Sequence, residues 1–373
     1  MQSIVVAITV LLTCLSTAVG VDGRTSAADA IFGDLKSDHT PGAAVLVLRS
    51  GHAVFERGYG VTDLHTRHAI DAETNFRLAS LTKQFTAMAI MLLVHDGKLN
   101  YDEHLTDIFS DFPEYGKAIT IRNLLNHTSG LQDYEDLMTP QAENTQPEKL
   151  VQIHDSGVLD LLKQQRNTKF PPGTEWAYSN SGYVVLGLVA QRISGESFGQ
   201  FLHERIFVPL HMDRTLAYEA GKNAVAHRAY GHTRMSGGWQ ETDQSATSAT
   251  LGDGGVYSSL ADLAKWDEAL RTHRLLPESE MAPALTAVNV PSHPPEEPDG
   301  KSAAYGFGWF LNPYNGHARM WHYGETIGFR TSVQRFVDDG LTIIVLSNRA
   351  DLDARSRALQ LADLFLGGGG AGR

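Results

Sequence analysis

Segments with the composition of β-strands lie only towards the two ends of this 373-residue chain, and helix-forming segments fill the stretch between them. Near the start, residues 43–48 and 53–59 are short runs rich in β-formers separated by Ser50-Gly51, which predicts a hairpin. Near the end, residues 305–311, 319–323, 329–337 and 341–347 have the same character, with Asp338-Asp339-Gly340 as the turn between the last two. From Ser80 onward, Phe85, Met88, Ile90, Met91, Leu92 and Val94 predict a long, mostly buried helix that stops near Gly97. Further helices are expected over 121–126, 158–165, 183–193 and 260–270, and a closing helix over 351–366. Phe170-Pro171-Pro172-Gly173 interrupts the helical middle, and 291–298 holds too many prolines for any regular element, so it reads as a surface loop. Strands that far apart in sequence find partners only if the two ends meet. The chain is therefore expected to be α+β: one antiparallel sheet built from N- and C-terminal segments, flanked by helices, with a mostly helical insertion.

Composition narrows the functional classes. With 31 basic against 43 acidic residues the formal net charge is -12, which repels a phosphate backbone, so no nucleic-acid partner is expected. The same charge favours solubility and sets no oligomeric state. Residues 1–20 carry no charged side chain, are apolar from Ile4 to Leu15 and end in Ala18-Val19-Gly20, the pattern of a cleaved secretory signal; retention as an anchor is the minor alternative. A periplasmic or secreted location follows as an expectation, with no other membrane association. The one cysteine, Cys14, falls inside that segment, so the mature chain would have no thiol for disulfides, catalysis or metal ligation, lipidation of Cys14 being a further minor reading. The 16 histidines lack the His-Glu-x-x-His spacing of a zinc hydrolase, and no Gly-x-Ser-x-Gly elbow is present. Neither a metal nor a cofactor is expected.

Three short stretches carry chemistry. Ser80-Leu81-Thr82-Lys83 opens the apolar helix, and i, i+3 spacing puts hydroxyl and amine on one face, roughly 5–6 Å apart at Cβ. Serine is a weak nucleophile until a base takes its proton, and a buried lysine can be that base. Composition alone predicts about one chance Ser-x-x-Lys in a chain this long. Its place at the head of the most apolar helix is what singles this one out. Tyr178-Ser179-Asn180 lies in a polar loop just ahead of the 183–193 helix: a phenol near an ammonium can pass protons, and the amide can hold both the lysine and a substrate carbonyl. His322-Tyr323-Gly324-Glu325 ends an expected strand, and its glycine lets a substrate approach the backbone.

In this order and with these gaps, the three stretches resemble the β-lactamase-related serine hydrolases: class C β-lactamases, DD-carboxypeptidases and related esterases. Leu124-Leu125-Asn126-His127-Thr128-Ser129-Gly130-Leu131 and Gly254-Gly255-Val256-Tyr257-Ser258 add to the resemblance, which runs from the 43–48 hairpin to the closing helix. It implies the β-lactamase/DD-peptidase fold, a catalytic domain over 21–368 with a sheet part (about 28–79 and 300–366) and a helical part (about 80–299), and a tail over 369–373. It further implies Ser80 as nucleophile, Lys83 and Tyr178 as the proton-transfer pair with the division of labour between them open, Asn180 as a substrate ligand, and His322-Tyr323-Gly324 in place of Lys-Thr-Gly. The backbone amides of Ser80 and Glu325 would form the oxyanion hole. Histidine titrates near pH 6.5, so an anion grip by His322 would fade through neutrality. That favours small-molecule ester, amide or D-amino-acid peptide substrates; a class C-like β-lactamase and a non-turnover penicillin-binding sensor are the alternatives.

Overall fold

The computed structural model describes residues 23–139 and 149–367. The expected export segment 1–20, Cys14 within it and the tail 369–373 lie outside them. Five antiparallel strands form the main sheet: β1 (Ala43–Arg49), β2 (His52–Tyr59), β3 (Arg319–Thr326), β4 (Phe329–Phe336) and β5 (Leu341–Ser347). Their spatial order is β2-β1-β5-β4-β3, so the first and last strands of the chain pair at the centre, with Val45 opposite Val345. The two ends do meet.

Period-2 alternation in β1 sorts its side chains into two separate cores. Ala43, Val45 and Val47 pack with Phe32, Leu35, Leu361 and Phe365 under the closing helix, while Ala44, Leu46 and Leu48 join Phe85, Met88 and the helical layer on the other face. A strand covered on both faces must be apolar throughout, which is why 43–48 reads as a continuous hydrophobic run. Edge strand β2 instead exposes His52, Glu56 and Arg57 and buries only Phe55 and Tyr59.

The central helix α1 (Lys83–His95) has no solvent face over its first three turns: Lys83 to Leu93 are all buried. Apolar side chains on every side of a helix place it inside the protein, and here they carry the first residue, a lysine, inside with them. Gly97, at φ 67°, ends the element in the left-handed conformation that glycine adopts freely. Against α1 packs α2 (Asn180–Ser194), capped by the Ser179 hydroxyl accepting from the Gly182 amide at 3.0 Å and closed by Gly195 at φ 80°.

Some sequence expectations shift. Residues 305–311 form no strand; they make only isolated bridges, Tyr305 with Phe310 and Phe310 with Trp321, because these aromatics pack on one another instead of pairing in a ladder. The closing helix α3 (Ala354–Leu366) begins three residues late, where the Asp353 carboxylate caps the Ser356 amide at 2.8 Å. The proline-rich loop lies at the surface and is tied back through the Trp176 amide to the His293 carbonyl, 3.0 Å. No helix among the described residues is long and apolar enough to cross a membrane.

Candidate active site

Ser80 sits in a single 3-10 turn, Ala79–Thr82, that leads into α1. Ala79 just before it has φ 49°, a conformation that L-residues rarely adopt, so the chain reverses sharply at the serine. The turn is held from below by the Leu78 amide on the Val256 carbonyl, 2.9 Å, and by the Val256 amide on the Thr82 hydroxyl, 3.1 Å. From above, β3 presses directly on it. A side chain at Gly324 would bring its Cβ within 2.2 Å of the Leu78 carbonyl oxygen and 2.4 Å of the Thr331 hydroxyl, so only glycine lets the strand approach this closely.

One helical turn on, Lys83 is fully buried and its Nζ donates to Ser80 Oγ at 2.9 Å, Asn180 Oδ1 at 2.9 Å and the Asp253 carbonyl at 3.1 Å. Three acceptors match the three protons of an ammonium. Remove one proton and the lone pair faces the serine. Burial drives the Lys83 pKa down to about 8, against the opposing pull of Asp253, Asp133 and Glu135. The Tyr178 ring lies beneath the same Nζ, its centroid 4.8 Å away. The Tyr178 pKa is pushed well above the ordinary value by burial, a shift that the nearby Ser80 partly opposes. Tyr178 therefore keeps its proton at any physiological pH.

Asn180 opens α2, and its amide bridges the two sides of the cleft: Oδ1 accepts from Lys83 while Nδ2 donates to Glu135 at 3.3 Å. Ser80, Asn180 and Glu325 line one cavity together with Arg77, Tyr134, Glu135, Asp253 and Thr326. The structure thus brings Ser80, Asn180 and Glu325 to one opening, with Lys83 buried behind Ser80, Tyr178 beneath its amine and Gly324 packed on the serine turn.

His322 differs from its sequence expectation. Its ring is wholly buried, 6.1 Å from the Tyr178 ring, with Nε2 on the Tyr305 hydroxyl at 3.2 Å and Nδ1 on the Tyr323 carbonyl at 2.7 Å. Burial, reinforced by the charge on Lys83, lowers its pKa to about 3. An imidazole that stays neutral throughout the working range makes no pH-dependent grip on an anion, so the fading through neutrality expected from a free histidine does not arise.

Sequence reasoning passed over Tyr134, Glu135 and Asp253. The Tyr134 hydroxyl donates to Asp253 Oδ2 at 3.0 Å, and Asp253 Oδ1 has no hydrogen-bond partner among the described residues although the side chain is only 6% exposed. The available signal was adjacency: Asp253 directly precedes the Gly254-Gly255 pair, and Glu135 lies six residues beyond Ser129, in a single helical turn, Tyr134–Leu137, whose composition names no ligand. Among the described residues, no group of three or more His, Cys, Asp or Glu side chains is arranged to hold a metal ion.

With this geometry established, comparison with known proteins is specific. A family model described as Beta-lactamase matches residues 27–366. Penicillin-binding protein 4* of Bacillus subtilis (strain 168) is 30% identical over 353 residues, covering 91% of this chain and 75% of its own. Protein flp of Staphylococcus aureus (strain NCTC 8325 / PS 47) is 26% identical over 323 residues, covering 84% of this chain; the chain spans only 61% of that protein's length. Among solved structures, D-amino acid amidase from Ochrobactrum anthropi SV3, complexed with L-phenylalanine amide, superposes with a TM-score of 0.76 at 24% identity, over 92% of this chain and 98% of its own, a likeness of fold.

Proposed function

Because the chain belongs to the beta-lactamase family of serine hydrolases, we propose that it is an acyl-transfer hydrolase in which Ser80 attacks a carbonyl carbon and carries the acyl group as an ester. One observation carries the reading: the Ser80 hydroxyl lies 2.9 Å from a fully buried amine whose pKa is about 8. At pH 7 about a tenth of Lys83 is already neutral on that value, enough to serve as a base near the operating pH. Tyr178 holds its proton too tightly to act as a phenolate. The two roles left open by sequence therefore separate: neutral Lys83 takes the Ser80 proton, and Tyr178 passes a proton to the departing group and is reprotonated from Lys83. Asn180 anchors Lys83 through Oδ1 and offers its Nδ2 to the substrate carbonyl when Glu135 releases it. The backbone amides of Ser80 and Glu325 would hold the developing oxyanion.

Charge in the cleft supports a substrate class. Carboxylates of Glu135, Asp253 and Glu325, the last met by Arg330 at 4.0 Å, line it against one guanidinium, Arg77, whose Nε and Nη2 are engaged by the Gly254 and Ser248 carbonyls while Nη1 has no partner among the described residues. With His322 neutral as well, a substrate anchored by its carboxylate, such as a β-lactam, is disfavoured. An ester or amide whose acyl part is neutral or bears an amine fits better, in keeping with a fold neighbour named for amides of D-amino acids. The uncharged stretch 1–20 supports an exported site of action.

Intact-mass measurement after exposure to p-nitrophenyl esters, D-alanine and D-phenylalanine amides, D-Ala-D-Ala peptides and penicillins tests the reading. Esters or amides should leave one acyl adduct on wild type that Ser80→Ala lacks, with penicillins reacting most slowly. An adduct on the Ser80→Ala variant, or none on either, would contradict it.

A further inference from the structure

Behind Tyr178, two histidines and a tyrosine form a polar path that the acyl-transfer reading does not use. His127 follows the helix Ile121–Leu125 at φ 62°, a left-handed backbone conformation that turns its ring inward, where it is wholly buried. The Ser179 amide donates to His127 Nδ1 at 3.1 Å. An amide can only donate, so that nitrogen is bare and the single proton of a neutral ring sits on Nε2. His127 Nε2 in turn lies 3.1 Å from the Tyr305 hydroxyl, which stands 3.2 Å from His322 Nε2. His322 Nδ1 ends the path on the Tyr323 backbone, 2.7 Å from the carbonyl oxygen and 3.0 Å from the amide nitrogen.

The path joins the two walls of the cleft. At one end is Ser179, the neighbour of both Tyr178 and Asn180 and the cap of α2; at the other is the segment of β3 that runs on into Gly324 and Glu325. The His127 ring also packs against Tyr178 with centroids 4.4 Å apart. Burying four polar side-chain nitrogens and a hydroxyl in an aromatic cluster is costly unless each has a partner. Here the partners come from opposite walls.

We infer that His127 and Tyr305 are positioning residues, which with His322 form a neutral hydrogen-bonded brace that sets the Tyr178 phenol relative to the edge-strand backbone. The inference rests on the acyl-transfer reading above. Tyr305 is the joint, because its hydroxyl touches both rings and nothing in the brace reaches the reacting atoms directly. Both histidines are held neutral by burial and by the Lys83 charge, which keeps the bonding pattern constant through the working pH range. Loosening the brace should misplace Tyr178 by a fraction of an ångström to an ångström, which slows a proton transfer far more than it weakens substrate binding.

The test uses the whole chain and counts only competent molecules. Wild type, Tyr305→Phe and His127→Gln are titrated with p-nitrophenyl acetate to find the fraction of acylatable Ser80, and kcat and KM are then measured per titrated site. Tyr305→Phe keeps the ring and deletes the joint; His127→Gln keeps a donor where Nε2 stood but moves the acceptor away from the Ser179 amide. Each should lower kcat per site on the order of tenfold to a hundredfold, with KM within about twofold and the melting temperature within a few degrees. Wild-type kcat in Tyr305→Phe, or a KM that rises as far as kcat falls, would overturn the inference. If Tyr305→Phe does not fold, His127→Gln decides alone, and if neither folds the path is core packing and the inference fails. Absence of any adduct on wild-type Ser80 would instead fault the underlying acyl-transfer reading.

Discussion

Lys83 and His322 are two wholly buried nitrogen bases that flank the same tyrosine, yet one remains titratable near neutrality and the other does not. Burial acts on both in the same direction. Most of the difference is intrinsic, since a lysine amine starts at 10.5 and an imidazole at 6.5; the neighbours widen it, because Asp253, Asp133 and Glu135 oppose the fall of the Lys83 pKa to about 8, whereas the charge nearest His322 is Lys83 itself, which helps to press its pKa down to about 3. An acidic wall thus gives the cleft a usable base, and the aromatic wall opposite gives it a neutral brace.

The largest break in this contrast comes from removing the titratable side. Lys83→Met should lower turnover of a p-nitrophenyl ester by roughly 10²–10⁴-fold, the range expected when a general base is lost. The same substitution should alter the pH dependence of stability. A lysine depressed from 10.5 to about 8 makes the native state bind fewer protons than the unfolded chain between those values, so its penalty holds in full below pH 8 and lifts as pH rises towards 10.5. Urea unfolding of wild type should therefore gain about 3 kcal/mol on Lys83→Met across that window, other titrations cancelling in the comparison.

A smaller change sharpens the role of the acidic wall. Glu135→Gln keeps an oxygen for the Asn180 amide but removes one of the charges that hold the Lys83 pKa up, so the acid limb of kcat/KM should move to lower pH. A limb moving to higher pH would show that Glu135 acts otherwise. The least effect on titration is expected from the opposite wall: His322→Gln should leave the shape of the pH profile between 5 and 8 unmoved, whatever it does to the rate. Loss of a limb in that variant would restore a charged histidine to the site.

Much of this was legible in sequence, for reasons visible in particular residues. The apolar runs at 43–48 and 341–347 announced central strands because both their faces are covered, and the helix after Ser80 announced itself by being hydrophobic all round. Ser80, Lys83, Tyr178 and Asn180 stood out by spacing and family resemblance, since the first pair is one helical turn apart and the second flanks Ser179, the cap of α2. What was missed is tertiary. Asp253 and Glu135 matter through Lys83, a residue 170 positions from Asp253 along the chain. The neutrality of His322 follows from its burial against Tyr305 and Phe310, in a segment where aromatic packing displaced the strand expected from its β-formers.

Central to the account is a serine whose reactivity is governed by the proton on its buried lysine neighbour. Rapid-quench intact-mass measurement of wild type mixed with p-nitrophenyl acetate, from pH 6 to pH 10, follows that proton directly. The account predicts a single acetyl group on Ser80, with an acylation rate that climbs through about pH 8 and then levels. A rate that stays flat over this range, or an acetyl group on any other residue, would contradict it.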